Sequence, residues 1–255
     1  MHRGFTVTGI LLFATVSAAW AQEEEIPFST ERPGFTAGTG IVPSGYLQLE
    51  YGYRYSRDQG ETEHQIGESG QLRRGLAENI EVRLGLPPFL FLRSSGINRE
   101  GFASPSLSGK YRFFQSPNQR YSAALIAGTT LPSGASDTGT AFWQPYATLE
   151  TSTLFGDAVE LQANAAYFSA GGRGRRFDQW AFAANLGYTI DDRWGSFLEV
   201  YRFVTGADIP QATYMDGGFT YRPTERSQWD INGGIGISSE VRNDYFLSFG
   251  YARLF

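Results

Sequence analysis

Charged residues in this chain fall at even spacings and sit among apolar neighbours. Glu50 and Arg54 stand four apart, Glu81 and Arg83 two apart, and Lys110 and Arg112 two apart. Glu150, Glu160, Glu199, Asp216 and Asp230 each follow an apolar side chain. An even spacing in an extended strand puts side chains on one face. These residues, together with Glu63 and Arg73, therefore define a single face carrying fixed charges of both signs. The chemistry open to such a face is electrostatic: charges can pair with one another, or present a lining that orients and sorts ions.

Nucleophilic and metal chemistry find no such support. Hydrolysis by a serine or cysteine needs a base beside the nucleophile. His64 is the only histidine beyond residue 2, and in a strand Glu63 and Ser69 point away from it. The chain has no cysteine, which excludes a disulfide framework and a thiolate metal site. Asp137 and Asp208 are too few to propose a calcium site. The run Gly171-Gly172-Arg173-Gly174-Arg175-Arg176 has no following helix to complete a phosphate cradle. It reads as an outer loop, first of all an ordinary solvated one, with lipopolysaccharide phosphates as the alternative use of its arginines. No catalytic, cofactor-binding or metal-binding residue is assigned, and the protein is expected not to be an enzyme. A net charge of -5 gives no general attraction to nucleic acid.

The elements that must position the charged face are strands. Residues 1–21 read as a cleaved secretory signal, with Arg3, an apolar stretch from Ile10 to Val16, and Ala19-Trp20-Ala21 before Gln22. Residues 22–43 are acidic at first and then rich in proline and glycine, an irregular segment. From residue 44 to 255 the hydropathy alternates with period two. Leu47, Leu49, Tyr51, Tyr53 and Tyr55 oppose Gln48, Glu50, Gly52 and Arg54. Trp229, Ile231, Ile235 and Ile237 oppose Asp230, Asn232, Gly234 and Gly236. About twelve such strands are expected. Tight turns at Ser116–Gln119, Gly156-Asp157, Asp191–Arg193 and Thr224–Ser227 alternate with looser glycine-rich connections. The greasiest run, Leu84 to Leu92, is broken by Pro87-Pro88, so no helix crosses a membrane.

A soluble β-sandwich would give the same alternation with its faces reversed. Aromatic residues near the strand ends, strands of about ten residues, and a final strand closed by Phe255 favour a transmembrane antiparallel up-and-down β-barrel of outer-membrane type. Arginine supplies every cation but Lys110, and its planar fork suits ordered carboxylate pairs in a lumen.

Several stretches resemble the outer-membrane family named for the MetA pathway of phenol degradation. They are Arg32-Pro33-Gly34-Phe35, Val42-Pro43-Ser44-Gly45-Tyr46-Leu47 to Tyr53, and His64 to Glu68. Gly75 to Gly85, Gly109-Lys110-Tyr111-Arg112-Phe113, and Asp216 to Gly236 complete the set. Gly34 departs from the acid expected after Pro33. The ending, with Ser248, Gly250, Tyr251 and Phe255, resembles the signal read by the barrel-assembly machinery; Arg253 stands where an apolar residue is usual.

The resemblance implies a Gram-negative outer-membrane location. It also implies partners in outer-membrane lipid, lipopolysaccharide and the assembly machinery, and a channel or transporter for small solutes, aromatic compounds among them. The inward charges Glu50, Arg54, Glu81, Arg83, Lys110, Arg112, Glu150, Glu160, Glu199, Asp216 and Asp230 then become candidate pore-lining residues. A barrel whose interior charges pair and fill the lumen, serving structure or surface binding without conducting, is the alternative.

Overall fold

The computed structural model describes residues 26–255 except 59–60, 95, 134–137, 173–174, 207–210 and 242–243. The expected signal, Asp137 and Asp208 lie outside the described residues. Fourteen strand segments form one antiparallel sheet. They are β1 (Leu47–Asp58), β2 (Glu61–Ala77), β3 (Ile80–Gly85), β4 (Phe89–Ser94), β5 (Ile97–Phe102), β6 (Ser106–Gln115) and β7 (Tyr121–Thr130). The sheet continues through β8 (Gln144–Phe155), β9 (Val159–Gly172), β10 (Arg175–Thr189), β11 (Trp194–Thr205), β12 (Ala212–Thr224), β13 (Ser227–Gly236) and β14 (Tyr245–Leu254).

The segments make twelve barrel strands, because β3 and β4 both pair with β2 and are two pieces of one strand. Segments β5 and β6 continue their neighbours in the same way, pairing with β4 and β3 respectively. The breaks fall at Pro87-Pro88 and Pro105, since proline has no N–H to give the ladder. The glycine-rich stretch 171–176 is not a separate loop: β9 runs through Gly172 and β10 starts at Arg175. Likewise 93–101 is mostly the β4–β5 hairpin.

The barrel closes between β1 and β14, with Gln48 opposite Leu254 and Tyr55 opposite Leu247. Phe255 adds two backbone bonds to Leu47, at 2.8 and 3.2 Å, so no edge is left open. The outer surface carries Phe113, Tyr121, Phe155, Tyr188, Trp194 and Phe255 near the end that holds the termini and the tight turns. Trp143, Trp180 and Tyr245 occupy the other end. Exposed aromatic and aliphatic residues are stable in this position only when lipid covers them, and the two aromatic bands match the two membrane interfaces. Short turns place the terminal end at the periplasm.

Candidate functional site: the occupied lumen

The chain from Ile26 to Tyr46 runs inside the barrel. Its foot is apolar: Phe28 and Val42 pack on Ala252 and Leu254, the inward end of β14, with Ile26 and Tyr46 beside them. Its middle is held by charges from the wall.

Arg73 of β2 is fully buried and spends all its N–H groups. It contacts Glu81 at 3.0 and 3.1 Å, Glu50 at 2.8 Å, and the Ser29 and Gly40 carbonyls of the segment at 2.9 and 3.3 Å. Glu31 of the segment sits among Lys110 at 2.8 Å, Arg83 at 2.9 Å and Arg73 at 3.3 Å. Burial pushes the Glu31 carboxyl up, but Arg83, Lys110 and Arg73 outweigh it and hold the group well below the usual carboxylate range. Lys110 also pairs with Glu150 at 2.8 Å and donates to the Gly38 carbonyl. Glu81 accepts the Val42 N–H at 2.7 Å and the Arg83 Nε at 2.5 Å.

Arg32 reaches the opposite way, across the closing seam. It grips Asp230 of β13 through two bonds of 2.9 and 3.2 Å, Ser248 of β14 at 3.0 Å, and both the carboxylate of Glu68 and, at 3.0 Å, its carbonyl. Gly52 and Gly250, paired across the seam, make the room. A Cβ at Gly250 would stand 2.0 Å from the Arg32 guanidinium, and one at Gly52 2.5 Å from it.

The wall from β8 to β12 is built differently. Gln162, Asn185 and Thr220 face inward with Gly187, Gly195 and Phe197, and among them a cavity of about 210 Å³ remains beside Thr30–Pro33. Glu160 shares this cavity and accepts from Ser152 Oγ. Farther from the periplasm, Glu199 accepts the Phe35 and Thr36 N–H groups, both at 2.6 Å, with Asp216 opposite it on β12. Beyond these acids lies an aromatic stack. Phe35 stacks on Tyr201 at 4.8 Å, Tyr201 on Tyr214 at 5.3 Å, and Phe203 meets Phe35 edge-on.

The charged face read from spacing is thus divided. Glu50, Arg73, Glu81, Arg83, Lys110 and Glu150 meet in one buried cluster. Asp230 belongs to the Arg32 site, and Glu160, Glu199 and Asp216 to the β8–β12 wall. Arg54 lies over the Phe246 ring at 3.8 Å, with Glu68 4.0 Å away. Arg112 stands apart near the periplasmic turn, where it donates to the Glu78 carbonyl at 3.1 Å. The ending has interior duties too: Ser248 and Gly250 line the Arg32 niche, while Tyr251 packs on Trp229 at 4.4 Å.

Glu68 escapes a reading by parity. Gly67 and Ser69 take φ of 86° and 51°, and the register shifts between Glu50/Gly52 and Gly52/Tyr53, so Glu68 turns inward opposite Gly52. The glycine inside a strand at Gly67 is the sequence signal that marks such a bulge. The inward aromatics Tyr201, Phe203, Tyr214 and Phe246 were legible as even-spaced partners of Glu199, Asp216 and Ser248.

These features define an outer-membrane β-barrel of porin-like architecture whose lumen holds its own N-terminal segment. The chain belongs to the family described as "Putative MetA-pathway of phenol degradation", whose sequence profile matches residues 30–254. Among curated proteins none matches it. Its fold is similar to that of the COG4313 outer membrane channel from Pseudomonas putida F1, with a TM-score of 0.65 and 15% identity over 85% of this chain and 98% of that one. The NanC porin follows with a TM-score of 0.55 and 12% identity over 81% and 98% of the two chains. The KdgM porin in complex with disordered oligogalacturonate gives 0.57 and 8% over 81% and 98%.

Proposed function

We propose that the protein is an outer-membrane channel through which small solutes pass without energy input, along the wall formed by β8 to β12. The observation that carries this reading is the polar cavity of about 210 Å³ beside the inner segment. Glu31 and Arg32 border the cavity from the inner segment, but its wall side of amides, hydroxyls, glycines and Glu160 holds no ion pair among the described residues, so a hydrated solute moves along it without breaking one. The half-buried rings of Phe35 and Tyr214, at the two ends of a stack centred on Tyr201, offer a stacking surface outside that cavity, which supports aromatic compounds among the solutes. The architecture shared with channels and porins supports the same reading.

The ion-paired side of the lumen favours a second reading, a barrel closed by its own segment. Planar-bilayer recording separates the two. Discrete conductance steps from the purified wild-type protein are expected, and their complete absence would overturn the channel reading.

A further inference from the structure

The lipid-facing surface is indented over the closing strands. Gly217 of β12 and Gly233 of β13 stand opposite each other and carry no side chain, and a groove of about 530 Å³ opens over them. Leu198 of β11 and Leu247 of β14 flank the two glycines in the same row, 56% and 60% exposed. Their tips lean over the floor: a Cβ on Gly217 would lie 3.6 Å from Leu198 Cδ1, and one on Gly233 2.9 Å from Leu247 Cδ2. Met215 and Ile235 form the next row toward the outer ends of their strands. These side chains are all apolar, and they lie in the belt that lipid covers.

That outer row leads to charge. Ile235 is opposite Tyr245, Tyr245 opposite Arg57 of β1, Arg57 opposite Thr62 of β2, and Thr62 opposite Arg93 of β4. Directly opposite residues share a face of the sheet, so Arg57 and Arg93 point outward with the groove. Both are exposed, and each stands one residue from the outer end of its strand. Neither makes an ion pair among the described residues. Tyr245 lines the groove. Arg57 is one strand spacing of about 5 Å from it, and Arg93 about 10 Å beyond.

Lipid tails are as apolar as leucine, so the groove selects a shape, and the arginines select a headgroup. The guanidinium fork matches phosphate oxygens. A second copy of this chain fits less well, because a twofold contact on this face would bring the same two arginines of each copy together. We propose that this face binds one phosphorylated glycolipid of the outer leaflet, the lipid A part of lipopolysaccharide. One acyl chain lies over Gly217 and Gly233, and the phosphates meet Arg57 and Arg93. The site is outside the lumen and does not depend on conduction.

Native mass spectrometry of the purified full-length protein in detergent tests it, with diphosphorylated lipid A and zwitterionic phosphatidylethanolamine as probes. One lipid A per barrel is expected, held about tenfold more tightly than phosphatidylethanolamine. Arg57→Gln combined with Arg93→Gln should remove that preference. Leu198→Trp, which covers the Gly217 floor, should weaken lipid A binding several-fold with both arginines intact. A heat-shifted band on gels verifies that each variant is folded. Equal affinity of the wild type for the two lipids overturns the site, as does a preference that survives the double substitution. Lipid A binding unchanged by Leu198→Trp overturns the acyl groove. A wild-type dimer or trimer that binds no lipid A and that Leu198→Trp dissociates overturns the lipid site and gives the face to a second copy.

Discussion

The two sides of the lumen are made of different materials. From β1 through β3 to β6, wall and inner segment are cross-linked by arginine, lysine and glutamate with every donor of Arg73 in use. From β8 to β12 the wall offers amides, hydroxyls and glycines beside the acids Glu160, Glu199 and Asp216, with no cation paired to these three among the described residues, and a cavity remains. A buried ion is costly to strand, so the charged side fixes the segment in place. Neutral polar groups bind water and solute with smaller penalties, so the other side can stay open. On the proposed channel reading, one barrel divides its lumen between anchorage and passage.

That division can be broken most forcefully at Arg73. Arg73→Met should destabilise the barrel by about 3–5 kcal/mol, because Glu50, Glu81 and Glu31 lose a shared buried cation. Denaturant titration followed by the heat-shifted gel band measures it, and a loss within error of wild type would mean the cluster does not anchor the segment. A substitution on the other side should do the reverse. Gly187 lines the cavity, and a Cβ there meets nothing nearer than 3.7 Å. Gly187→Phe should leave folding intact while reducing single-channel conductance several-fold; an unchanged conductance would place the path elsewhere.

The smallest effect concerns acid. Glu31 has its carboxyl held below the ordinary value of 4.5. The stability its pairs contribute is therefore fully present above that value, and is lost only as the pH falls through the lowered folded value. Conductance recorded from pH 7 to pH 4.5 should show the segment staying in place, with no rise in step size. Enlarged steps already in that range would show that Glu31 is a weak anchor.

Much of the barrel was legible because strand parity is local. Alternation from Leu47 to Phe255 requires two faces of opposite character, and the aromatic bands decide which face meets lipid. The same parity placed Glu50, Glu81, Lys110, Glu199 and Asp216 inside. It misled where the backbone leaves the β region, as at Gly67 and Ser69, which turn Glu68 inward, and it said nothing of Arg112's position at the rim.

The sequence by itself determined a succession of strands with one charged and one apolar face, since a two-residue period is set by the backbone and not by distant partners, and the aromatic residues near the strand ends turned that reading toward a barrel. Only the tertiary structure decided which charges pair and which stay apart. Arg32 and Asp230 are 198 residues apart in the chain, and Lys110 and Glu31 are 79. Contacts of that separation depend on strand register, on closure of the seam, and on an irregular segment with no period of its own. The position of Glu31–Arg32 inside the barrel could be read only once those were in place.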